Sequence, residues 1–201
     1  VALPRERDHE YQLQDLGDRF VIRTNWQAKN FRVVEVPIAE VADRSKWRDV
    51  VPHRADAWIG GFEVFRDWLV VAERSGGLAK LRVKSWDGKR DFLMDAGEPA
   101  YTMAIGANEE VDTDTFRYVY TSPTTPNTTY DYDLRTGERR LMKRDPVLGG
   151  FDPANYASEF VWATARDGTK VPVSLLYRKG FVRDGTAPLY QYAYGSYGLS
   201  M

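Results

Sequence analysis

A hairpin signature that occurs three times limits what this chain can fold into more than any other feature. Residues 67–84 read DWLVVAERSGGLAKLRVK: an apolar run, a turn carrying Gly76 and Gly77, and a second run that alternates apolar with charged. That is the pattern of two antiparallel strands joined by a tight turn. Its first strand is matched by RFVIRT at 19–24 and FRYVYT at 116–121, so that Phe20, Trp68 and Phe116 stand 48 residues apart in turn. Its second strand is matched by NFRVVEV at 30–36, which begins 48 residues before Leu78, and by TTYDYDL at 128–134, which begins 50 after it. Each repeat also carries an earlier strand, at 9–14, 61–65 and 101–105, and a later one, at 47–51, 90–94 and 140–143.

Four strands at this period describe one blade of a β-propeller, a unit that buries its faces only by stacking on its neighbours. The expected fold class is therefore all-β, with three four-stranded blades in residues 1–150 forming a partial β-propeller. Three blades are fewer than the roughly four to eight that close a ring. The chain opens on Val1-Ala-Leu-Pro without an initiator Met and stops inside an aromatic, strand-like run at Met201. A piece of a longer polypeptide is expected, with missing parts before Val1 and after Met201.

With 43% apolar and 13% aromatic residues the chain can bury a sizeable core, and it has no targeting segment or membrane-spanning run. A net charge of −1 provides no general attraction to nucleic acid or anionic lipid, so neither is expected as a partner. The absence of cysteine removes disulfides and thiolate sites, and it fits a cytoplasmic chain as well as a periplasmic one; cytoplasm is expected. The two histidines, His9 and His53, lack metal-ligand spacing, so no metal and no cofactor is expected.

Several local groups read as structural. Trp26 is expected to pack between blades, and Asn25 and Asn30 to shape their turn. Glu73, Arg74 and Lys84 are expected to face solvent rather than a central channel. The acidic run 108–114 lacks the glycine and terminal glutamate of a calcium loop and is expected to be solvated. Ser122-Pro-Thr-Thr-Pro-Asn-Thr-Thr129 is a turn without an adjacent base.

At 145–150 the rhythm breaks. A domain boundary is expected at 148–153, followed by a strand at 159–165, the turn Arg166-Asp-Gly-Thr169, a strand at 171–177 and a further strand-like run at 189–194. Pro172 cannot donate to a ladder and belongs at an edge or bulge.

Across this junction the chain resembles the oligopeptidase B group of the prolyl oligopeptidase family of serine peptidases. The resemblance rests on Asp18-Arg-Phe, Ile22-Arg-Thr-Asn25, Ala28-Lys-Asn-Phe-Arg32, Glu73-Arg-Ser-Gly-Gly-Leu78, Phe151-Asp-Pro-Ala-Asn-Tyr156, Tyr177-Arg-Lys-Gly180, and above all the run Trp162-Ala-Thr-Ala-Arg-Asp-Gly-Thr-Lys-Val-Pro-Val-Ser-Leu175. It implies the last three blades of a seven-bladed propeller in residues 1–150 and, in 151–201, the first strands of an α/β-hydrolase domain. It implies cleavage of short basic peptides after Arg or Lys by a Ser-Asp-His triad located after Met201, so that this chain alone is inactive. Tyr194 matches the family's oxyanion-hole tyrosine, and Tyr197 an aromatic of the substrate pocket wall. Gln191-Tyr-Ala193 stands where the family has Leu-Tyr-Gly, a departure that bears on the strand's path. Ser196 follows glycine directly and lacks the Gly-x-Ser-x-Gly elbow, so it reads as a loop residue.

Two other functions compete: a non-catalytic propeller serving as a binding or scaffold module, and polysaccharide binding through Trp26, Trp58 and Trp86. Partners expected for the chain itself are the remaining portions of the same enzyme or a second copy.

Overall fold

The repeated apolar runs become strands because each is enclosed on both sides by its neighbours. The structure, a computed structural model, describes residues 2–196. Its strands form three successive antiparallel meanders. The first holds β1 (Tyr11–Asp15), β2 (Arg19–Thr24), β3 (Arg32–Pro37) and β4 (Arg48–Val51). The second holds β5 (Ala57–Val64), β6 (Trp68–Ser75), β7 (Leu78–Ser85) and β8 (Asp91–Leu93). The third holds β9 (Thr102–Ile105), β10 (Thr115–Thr121), β11 (Thr128–Asp133) and β12 (Arg139–Arg144). One parallel bridge, Ala79 to Thr102, links β7 to β9. This mostly β architecture is that of a partial, unclosed propeller.

The register explains the continuous apolar run at the start of β6. Leu69 and Val71 pack toward the first meander, in one cluster with Val21, Val33, Val51, Ile59 and Phe62. Val70, between them, turns to the other side and joins Leu81, Val83, Met103, Phe116 and Tyr118. A middle meander is thus buried on both faces, and each such Val or Leu contributes roughly 1.5–3 kcal/mol by leaving water. Phe116, Tyr118 and Tyr120, which alternate along β10, are core residues, as aromatics at strand period should be.

The expected strands are present with shifted ends. β5 begins four residues before the expected 61, because a register irregularity between Ile59 and Gly61 lets the strand continue through it. After β3 come two short 3-10 turns, Ile38–Glu40 and Arg44–Lys46, the second capped by the Asp43 carboxylate. Asp87-Gly88 and Thr136-Gly137 occupy equivalent turns, with Gly88 at φ 74° and Gly137 at φ 81°.

After residue 150 come β13 (Tyr156–Thr164) and β14 (Lys170–Arg178), a separate hairpin in which Trp162 pairs with Pro172. The hairpin meets the second meander at Gly77, where a Cβ would lie 2.8 Å from the Pro172 Cβ and 3.0 Å from the Phe160 ring. Residues 189–194 are not a strand: a strand needs a neighbour for its backbone groups, and no described residue pairs with them.

Three local expectations are corrected by packing. Trp26 packs within its own meander, edge-on to Trp47 and beside the guanidinium groups of Arg32 and Arg44. Glu73 is 3% exposed rather than solvated, because Arg54 reaches its carboxylate at 3.3 Å and Arg82 at 4.0 Å. In the acidic run, Asp114 accepts from the Trp68 indole and pairs with Arg135, while Asp112 pairs with Arg66 at the surface. Asn30 also does more than shape its turn, since its side-chain amide donates to the carbonyls of Arg54 and Ala55 and so ties the two meanders.

Candidate active-site segment and an arginine–tryptophan cluster

The segment singled out by sequence emerges from the β13–β14 hairpin as an exposed chain. Tyr190 is 87% exposed and Tyr194 45%, so neither is a core residue among the described residues. A tyrosine hydroxyl can donate to a developing oxyanion without ionising. Tyr197 lies outside the described residues. Ser196 is exposed, and no histidine is committed to it. His9 is occupied elsewhere: Arg44 Nη2 donates to its Nδ1 at 3.2 Å and its Nε2 meets the Thr24 hydroxyl at 2.9 Å. Burial, reinforced by the Arg44 charge, holds the His9 imidazole below its ordinary pKa. His53 is exposed on the loop before β5. Among the described residues no three His, Cys, Asp or Glu side chains converge as a metal site.

At the hairpin's base Glu159 accepts from Tyr177 and Arg183, which holds its carboxyl below the usual range. A cleft lined by Arg54, Glu73, Arg82, Asp91, Phe92 and Leu93 is similarly self-neutralised, since its acids and bases pair with each other.

Sequence reasoning passed over one cluster with a different balance. Arg23, near the end of β2, is 6% exposed, and its Nε donates to the Ile59 carbonyl at 2.7 Å. Its guanidinium lies 3.5 Å from the centroid of Phe31 and 5.6 Å from that of Trp58. Arg74 approaches the same indole at 4.8 Å. The two rings meet edge to face at 6.3 Å. Phe31 holds its position with φ 65°, a left-handed conformation costly for a bulky side chain. Gly60 leaves room for the indole, because a Cβ there would stand 2.7 Å from the Trp58 ring. The signals available in sequence, an arginine at a buried strand position and a glycine pair after a tryptophan, did not predict that they meet.

The sequence profile of the prolyl oligopeptidase N-terminal β-propeller domain matches residues 1–145. This chain belongs to the prolyl oligopeptidase family. Members of the family are serine peptidases acting on peptides, and the similarity continues past the profile. Dipeptidyl aminopeptidase BI of Pseudoxanthomonas mexicana is 54% identical over 203 residues, covering 100% of this chain and 28% of that protein. Protease 2 of Moraxella lacunata is 34% identical over 188 residues, or 94% of this chain and 26% of that protein. Among solved structures, oligopeptidase B from Leishmania major superposes with a TM-score of 0.77 at 34% identity, over 88% of this chain and 26% of that one. Oligopeptidase B from Trypanosoma brucei with covalently bound antipain, in its closed form, gives 0.78 at 29% identity, over 90% of this chain and 26% of that one. The chain thus spans about a quarter of the length of these relatives.

Proposed function

We propose that the chain is part of a serine endopeptidase that cleaves short peptides after Arg or Lys. In this reading residues 1–150 are the last three blades of a seven-bladed propeller that restricts access to short substrates. Residues 151–201 open an α/β-hydrolase domain whose Ser-Asp-His triad is supplied by parts of the protein outside these residues. Tyr194 donates to the oxyanion and Tyr197 lines the substrate pocket. The observation that carries the reading is the run from Trp162 to Leu175, which folds as one hairpin seated on the second meander, with Tyr194-Gly195 a short distance downstream. That order of repeat, hairpin and tyrosine is what the resemblance to oligopeptidase B requires.

A second reading, release of N-terminal dipeptides, draws on the 54% identity to a protein named dipeptidyl aminopeptidase BI. Full-length protein assayed on arginyl and lysyl fluorogenic substrates, each with an acylated and a free dipeptide N-terminus, separates the two. Hydrolysis of the acylated substrates supports the endopeptidase, and hydrolysis confined to free dipeptides supports the aminopeptidase. Failure on all of them returns the chain to a binding or scaffold module.

A further inference from the structure

We propose that Arg23, with the Trp58 indole beside it, forms a binding site for a carboxylate of a bound peptide, a site that rests on the peptidase reading above. Charge accounting singles out this arginine. Three partly enclosed arginines have carboxylates at contact distance: Arg19 has Glu35 at 2.8 Å, Arg32 has Asp49 at 3.1 Å, and Arg44 has Glu6 at 2.7 Å; Arg90 has none, but its Nη1 is taken by the Leu134 and Arg135 carbonyls. Arg23 is more buried than any of these, yet among the described residues its one hydrogen bond goes to a neutral carbonyl. Burying a cation without a counterion is costly, and aromatic faces at 3.5 Å and 5.6 Å offset only part of that cost. Burial accordingly lowers the Arg23 pKa, and the one acid acting against this, Glu10, does so without a contact.

The bond to Ile59 engages Nε, and among the described residues no hydrogen bond engages the Nη atoms. The Arg23 Nη atoms are not among the fully enclosed, unpartnered atoms of the described residues, although the side chain is 6% exposed. A planar fork stacked on a strained Phe31, with no hydrogen-bond partner for its Nη atoms among the described residues, is preorganised for a carboxylate. Trp58, 37% exposed over Gly60, supplies an adjacent apolar wall for the ligand's side chain. Of the nearby acids, Asp56 and Glu73 are held by Arg54, and Glu10 acts on Arg23 only at a distance.

Position selects the ligand class. Trp58 pairs in register with Arg74, three residues before Gly77, where the β13–β14 hairpin is seated. The cluster therefore lies toward the end of the meanders that meets the proposed hydrolase domain, where a peptide substrate would be enclosed. The α-carboxylate of a short peptide and an Asp or Glu side chain share the required chemistry.

The test uses full-length protein and uncleaved probes: N-acetyl-trialanine with a free C-terminus, its C-terminal amide, and N-acetyl-Ala-Ala-Glu amide. Titration calorimetry on wild type should give about tenfold tighter binding of the free acid than of the amide, as one charge-assisted fork predicts. The glutamyl amide matching the acid would assign the site to side-chain carboxylates as well; matching the plain amide would restrict it to C-termini. In Arg23→Gln the acid-to-amide ratio should fall to about one. Arg23→Lys retains the charge but not the fork, and should lose most of the preference while staying folded by its thermal midpoint. Equal affinities in wild type, or a preference that survives both substitutions, overturns the inference. Because binding is read without turnover, hydrolysis of arginyl peptides with no acid preference removes this site and leaves the peptidase reading intact. An Arg23-dependent preference in a protein that hydrolyses nothing keeps the site and removes that reading.

Discussion

The indole Nε1 of Trp68 donates to the Asp114 carboxylate at 2.8 Å, joining the first residue of β6 to the segment just before β10. Arg135 closes the same junction, pairing with both Asp114 and Asp67. The two meanders are thereby fixed at one end by a polar clasp and along their length by the Val70–Phe116 core.

Asp114→Ala should destabilise the protein by about 1–3 kcal/mol, the usual cost of removing a charged acceptor from a buried donor. Asp114→Asn retains an acceptor for the indole and should lose less. Urea denaturation of the two variants, followed by tryptophan fluorescence, measures the difference. Equal losses would show that the Arg135 charge pair, not the indole bond, matters.

Glu98 accepts from the hydroxyls of Tyr120 at 3.0 Å, Ser122 at 2.6 Å and Thr125 at 2.6 Å, and also from Thr124. Burial opposes its ionisation, but these four bonds outweigh burial and hold its pKa below the ordinary 4.5. A carboxylate depressed in the folded state stabilises fully above its unfolded pKa and loses that contribution as pH falls through the folded one. Amide exchange at Thr124 and Thr125 should therefore accelerate, beyond the intrinsic trend, between about pH 6 and pH 3. Glu98→Gln should remove that pH dependence, and a wild-type profile in the variant would contradict this assignment.

Gly76 and Gly77 both have positive φ, 58° and 80°, but only Gly77 touches the hairpin. Alanine at either position bears a backbone penalty of about 1–2 kcal/mol. Gly77→Ala must in addition displace Pro172. Limited proteolysis in the junction at 145–155 should accelerate in Gly77→Ala and not in Gly76→Ala; similar rates would place the hairpin's anchorage elsewhere.

If Tyr194 is the oxyanion donor proposed above, Tyr194→Phe in the full-length protein should lower kcat by about 10²–10³-fold with a small change in KM, because such a donor acts mainly in the transition state. Steady-state kinetics on an arginyl substrate reads this directly, and an unchanged kcat/KM would reassign Tyr194 to surface packing. Ser196→Ala should leave turnover intact.

The 48-residue spacing of Phe20, Trp68 and Phe116 was enough to locate all three meanders, since strand periodicity and glycine turns are local properties written into adjacent residues. The hairpin at 156–178 and its edge proline were legible for the same reason. Ion partners were not. Glu73 looks like any strand carboxylate until Arg54, from the loop before β5, closes over it, and Asp114 resembles a solvated acid until Trp68 points at it. Residues 189–194 carry a strand's sequence but not a strand's structure, because a ladder depends on a neighbour that sequence pattern cannot supply. Arg23 shows the same division: its place on β2 follows from the repeat, whereas its burial on Phe31 without a carboxylate arises only where two meanders meet. Sequence determines the elements through short-range periodicity; which charges are compensated is decided by contacts between separate strands and loops, 19 residues apart for Arg54 and Glu73 and 68 for Arg135 and Asp67.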